Sequence, residues 1–148
     1  MKAVLISVRP KWCELIASGE KTIEVRKSVP KVELPFRGYI YQSRTNEKGE
    51  NGRGGYVIGE FTCERITDYG IVRTETYGEY AGTGLSAVEM AAYSAGRPVY
   101  GWHISNLRIY DTPRELREFT GLRTTRFGME PVEIKRPPQA FCYVEGLK

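Results

Sequence analysis

The apolar residues of this chain come in short extended runs, and glycine or proline interrupts them before they grow long. "AVLISV" (3–8), "GYIYQS" (38–43), "YVIGEFTCERI" (56–66), "VYGWHISNLRIY" (99–110) and "QAFCYVE" (139–145) are rich in β-branched and aromatic residues. Such residues fit a pleated, partly buried surface, so these runs are expected to be strands. Gly59 marks a bulge or a close backbone approach within its run, and Gly101 a further bulge.

Helix signals between the strands are short. Pro10 suits a first helical position, Trp12, Leu15 and Ile16 share one face, and Gly19 is placed for a left-handed cap. Over 85–96, Ser86 and Glu89 form a capping box, Leu85 and Met90 a hydrophobic staple, and Gly96 and Pro98 a stop. Thr112, Pro113 and Glu115 open a third helix, "PRELREF", with Leu116 and Phe119 inward. The two prolines of "VPKVELPF" argue for an edge or loop path. "RTNEKGENGRGG" (44–55) has no apolar residue to bury and reads as a hairpin loop or binding flap. The arginine-rich stretch before the last strand reads as irregular or weakly extended. Strands with short helices inserted at irregular intervals define an α+β fold, a small β-barrel, over one domain spanning 1–148. The irregular spacing disfavours a doubly wound sheet.

Charge and cysteine usage narrow the function. The chain carries 22 basic and 18 acidic side chains, a net charge of +4. That tolerates an anionic partner without demanding one. Residues 1–40 hold this excess. The arginines of 114–136 alternate with acids, as on a solvated surface, and are a secondary candidate for phosphate contacts. Cys13, Cys63 and Cys142 form no Cys-x-x-Cys pair, and His103 is the sole histidine. No zinc site follows, no cofactor is expected, and the cysteines read as reduced and mostly buried in a cytoplasmic protein. His103 has no spacing that supports a triad. The first residues do not read as a signal peptide, and no apolar run approaches a membrane span.

"GEKTIEVRKSVPK" (19–31) is the stretch that carries chemistry. On a strand, Ile23 and Val25 point one way and Thr22, Glu24 and Arg26 the other. Gly19, Lys21, Glu24 and Arg26 resemble the G-x-K-x-x-E-x-R signature of the ASCH family, in the PUA-like superfamily. The preceding "RPKWCELIASG", the following "GYIYQS" and the later "YGWHI" also look like that family. The ending "RPPQAFCYVE" is similar to that of small phage and Gram-positive members.

The resemblance implies a PUA-like β-barrel whose cleft, beside the motif, binds RNA or a modified nucleoside or nucleotide. Arg26 would offer a planar fork to phosphate or a base edge, and Glu24 would accept from an exocyclic amine. Lys21 would reach over the cleft mouth, with Ser7, Arg9, Tyr41, Gln42 and Ser43 bordering it and Thr22 on the same face. The resemblance also leaves open a metal-independent hydrolase, an amidohydrolase on acylated cytidine-type nucleosides or a ribonuclease, using Lys21 and a carboxylate such as Glu24. The amidohydrolase branch has threonine where this chain has Glu24, and draws a further glutamate from a later segment. Glu79 and Glu89 are candidates by region. A cleft retained only for protein interaction is the third reading.

Overall fold

The computed structural model describes residues 1–44, 54–76 and 78–148. Most of the segment read as a hairpin loop or binding flap, over 45–53, lies outside the described residues. In chain order the elements are β1 (Lys2–Val8), α1 (Pro10–Ser18), β2 (Ile23–Arg26), β3 (Phe36–Gln42), β4 (Tyr56–Cys63) and β5 (Ile66–Ile71). There follow α2 (Ala87–Ser94), β6 (Pro98–His103), β7 (Ser105–Arg114), a 3-10 turn (Leu116–Glu118), β8 (Thr120–Thr125), β9 (Gly128–Glu133) and β10 (Phe141–Glu145).

A seven-stranded sheet runs in the order β7-β4-β3-β1-β10-β8-β9, and a three-stranded sheet in the order β2-β6-β5. The fold is α+β as expected, but the larger sheet is not closed into a barrel. β2, β5 and β6 pair among themselves instead of joining its two edges. β1 and β3 are parallel, with Ser7 opposite Tyr41, while the other ladders are antiparallel. A parallel neighbour needs a crossover, and α1 with β2 supplies it. That crossover sets α1 and β2 beside the carboxyl ends of β1 and β3.

β1 is the middle strand, and its unbroken apolar run reflects burial on both faces. Val4, Ile6 and Val8 join Phe36, Ile40, Phe61 and Trp102 in one cluster, while Ala3 and Leu5 join Tyr39, Tyr41 and Val144 in another. Under α2, Val25, Val72, Met90 and Val99 form a third. Gly19 caps α1 in the left-handed conformation, and the Ser86/Glu89 capping box of α2 is present.

Four expectations need correction. The run 99–110 splits at Ile104, whose N–H still bonds Thr22 O, and Ser105 then pairs with Thr62 in the other sheet. The third helix shrinks to the 3-10 turn because β7 continues to Arg114 against Val57; as an edge strand it tolerates Pro113. The stretch after it, read as irregular or weakly extended, is extended and regular: the antiparallel β8–β9 hairpin. Finally, Gly59 sits at a register shift, whereas Gly101 pairs in regular register on both sides. A Cβ at Gly101 would lie 2.7 Å from Ile23 Cγ2 and 2.7 Å from a Tyr69 ring carbon, so close packing demands this glycine. Gly101→Val is expected to cost about 1–3 kcal/mol through overpacking, read as a lower urea midpoint. An unchanged midpoint would show that the two small-sheet neighbours yield freely.

Candidate functional site

The carboxyl ends of β1 and β3, α1, β2, α2 and the segment before β10 surround a cavity of about 750 Å³. Crevices at the carboxyl ends of parallel strands are recurrent ligand sites in open α/β sheets, because loops diverge there.

Its floor is the motif. Lys21 is 2% exposed and Glu24 6%, so neither is a surface charge. Glu24 Oε2 accepts from Arg26 Nε at 2.9 Å and Nη2 at 2.7 Å. Its other oxygen, Oε1, stands 3.5 Å from Lys21 Nζ. Lys21 Nζ also donates to Thr83 O and lies 4.8 Å from the Trp12 ring centroid. Arg26 Nη2 donates in addition to Ser7 O, tying the small sheet to the large one. Ser7 Oγ in turn donates to Pro138 O at 2.7 Å, which holds the segment before β10 against the cavity.

The electrostatics follow from this packing. Burial holds the Lys21 ammonium below the usual lysine range, opposed by the neighbouring Glu24 carboxylate. Behind the floor, the Cys13 thiol is pushed up to about 12 by burial and then by Glu24, so it is no nucleophile at neutral pH. Tyr93, in the wall, is pushed up by burial. Arg9, Lys21, Arg26 and Arg44 line the cavity, and among the described lining residues Glu24 is the sole carboxylate. Among the described residues no cluster of His, Cys, Asp and Glu could hold a metal. No helix among them is long and apolar enough to cross a membrane.

Of the residues named from sequence, the cavity gathers Ser7, Arg9, Lys21, Glu24, Arg26, Tyr41 and Ser43. Thr22 and Gln42 are not in its lining; Thr22 is exposed beside Gly82. Lys21 does not reach over the mouth. The hydrogen bond from its N–H to Leu15 O turns it inward, under Trp12. Glu79 and Glu89 also lie outside the lining, and Glu89 is held in the α2 capping box. His103 bonds Thr67 through Nε2 at 2.7 Å, as a structural histidine does. Sequence reasoning missed Trp12, Leu85, Tyr93, Leu116 and the 137–139 wall, whereas Arg44 and Gly55 are the described ends of the segment read as a hairpin loop or binding flap. Trp12 shares the helical spacing of Ile16 and reads as core, yet its ring covers Lys21.

An α+β domain with a cationic, aromatic-walled cavity built on a Lys–Glu–Arg floor is the class of protein these features define. The model of the ASCH domain matches residues 6–119, and the chain belongs to the ASCH family, a PUA-like RNA-binding module family. A solved ASCH structure from Zymomonas mobilis is similar at TM-score 0.64 and 26% identity, covering 97% of this chain and 87% of that one. A serine-to-alanine variant of the Zymomonas mobilis protein matches at TM-score 0.65 and 24% identity, covering 97% and 88%. A tyrosine-to-phenylalanine variant matches at TM-score 0.59 and 21% identity, covering 98% and 91%. No curated protein sequence matches the chain.

Proposed function

We propose that the chain is a binding module that takes one nucleotide of an RNA, or a modified nucleotide, into the cavity. The observation that carries this reading is the floor: a Lys21–Glu24–Arg26 array, its lysine and glutamate buried and its arginine partly so, opening between the aromatic side chains Trp12, Tyr41 and Tyr93. A volume of about 750 Å³ suits a small ligand of that size. Aromatic walls accept a base by stacking, and Arg9 and Arg44 near the strand ends attract phosphate. The amino end of α1, with no acidic residue in its first turn, adds positive potential there.

Glu24 does not act as a free acceptor in this reading. Arg26 and Lys21 already occupy its oxygens, so its role is to hold two cations in place. That occupancy, with Glu24 the single carboxylate among the described lining residues, also weighs against proton-shuttling hydrolysis. One observation favours the second reading, a metal-independent hydrolase. The lowered Lys21 pKa increases the fraction available as base or nucleophile.

Tryptophan fluorescence tests the reading, because Trp12 lines the cavity while Trp102 is fully buried. The four ribonucleoside 5′-monophosphates and N4-acetylcytidine are titrated, with mass spectrometry of each mixture. A saturable signal that disappears in Trp12→Phe, with every ligand recovered intact, is expected. Deacylated or cleaved product would replace binding by hydrolysis. Neither signal nor product would remove the nucleotide reading.

A further inference from the structure

We propose that the tip of the β8–β9 hairpin, Arg126–Phe127, is a second RNA contact, stacking on a base of a strand that leaves the cavity. The proposal rests on the RNA reading above and adds a site outside the cavity.

The backbone of the turn calls for neither side chain at its tip. Arg126 and Phe127 keep negative φ, which most residues can adopt, and the positive φ of 112 falls on Gly128 after them. Phe127 is 90% exposed, more than any other large apolar side chain among the described residues. Arg126 Cζ lies 5.4 Å from its ring centroid, and no carboxylate among the described residues pairs with Arg126. The turn itself is locked. Thr125 Oγ1 accepts from Phe127 N at 3.1 Å and donates to Gly128 O at 2.8 Å. Arg123 and Glu130 pair across the two strands below it. A rigid platform of an aromatic face and an unpaired guanidinium is suited to stacking on a base, at little ordering cost.

The hairpin is flanked in the chain by two segments that reach the cavity. Leu116 lies shortly before β8 and Pro137–Gln139 shortly after β9, and both line the cavity. The exposed Lys135 and Arg136 lie between β9 and that wall. The tip stands about 17 Å along the strands from their base, at about 3.3 Å per residue. Exposed cationic residues therefore occur both at the tip, Arg126, and next to the cavity wall, Lys135 and Arg136. A second copy adding a strand is disfavoured, since the outer strand β9 carries Pro131 and Glu133, which blunt an edge.

Two probes separate the sites. One is the four ribonucleoside 5′-monophosphates, which need only the cavity. The other is a fluorescein-labelled ten-nucleotide RNA with all four bases and no self-complementarity. Phe127→Ala is expected to weaken the RNA by about 5- to 150-fold, the range for losing one stacked base. Affinity for the monophosphates should not change, and Phe127→Tyr should restore RNA binding. Because the ring is exposed, the substitution leaves folding intact, which the unchanged monophosphate affinity verifies. RNA affinity within twofold of wild type in Phe127→Ala overturns the proposal, as it would if the tip served a protein instead. Monophosphates bound but no RNA bound overturns the hairpin site and leaves the cavity reading standing. Neither probe bound overturns both.

Discussion

Glu24→Gln is expected to destabilise the protein by about 3 kcal/mol, lowering the melting temperature by roughly 6–12 °C. Glutamine keeps the shape but removes the charge that compensates buried Lys21 and partly buried Arg26. Both cations then sit away from water without a counter-charge, the costly way to break a buried pair. The amide would also turn an N–H₂ group toward donors that have no use for it. Exposed Glu14→Gln is the control and should stay within about 0.5 kcal/mol. In Glu24→Gln with Lys21→Met the loss should be less than additive, because one orphaned cation has gone. A drop in melting temperature below about 2 °C for Glu24→Gln alone would show that water, not Glu24, solvates the two cations.

How far this site was readable depends on the residue. Its motif was legible because four chemically distinctive positions sit within one strand and the turn before it. The cavity around them was not, because it is assembled from distant segments. Nothing local announces that Ser7 Oγ bonds Pro138 O, 131 residues away. Trp12 shows the limit of periodicity. A ring at helical spacing with Ile16 has the same pattern whether it packs inward or covers a lysine. Among elements, β1 was clear since a strand buried on both faces is uniformly apolar. The β8–β9 hairpin read only as irregular or weakly extended because its strands are mostly exposed and its turn lacks the Asn-Gly type of signal. Closure into a barrel is a property of which edges meet, and no single segment encodes it. The split of 99–110 is similar: both halves have strand character, and only the pairing of Ser105 with Thr62 sends the chain to the other sheet.

Lys21→Met should separate function from stability in the opposite direction from Glu24→Gln. Methionine fills a similar volume, and Glu24 keeps its two hydrogen bonds from Arg26. Losing the bond to Thr83 O is offset by no longer burying an ammonium, so stability should change by only about 1 kcal/mol. Ligand affinity should fall roughly 10- to 100-fold, as for a lost charge-assisted hydrogen bond. Any turnover should vanish with it. The same pair of proteins reads out the burial of the charge. Lys21 has a folded pKa below its unfolded value of 10.5. Between those two values the unfolded chain binds more protons, so this group adds stability as pH rises toward 10.5. Tyr69, Tyr93, Tyr110 and the cysteines are pushed up by burial and act the opposite way at alkaline pH, alike in both proteins. Urea unfolding at pH 7 and pH 10 should therefore show wild type gaining on Lys21→Met at the higher pH. A constant difference would mean that Lys21 keeps an ordinary pKa, which would remove the argument for it as a base and leave only its role in holding a ligand.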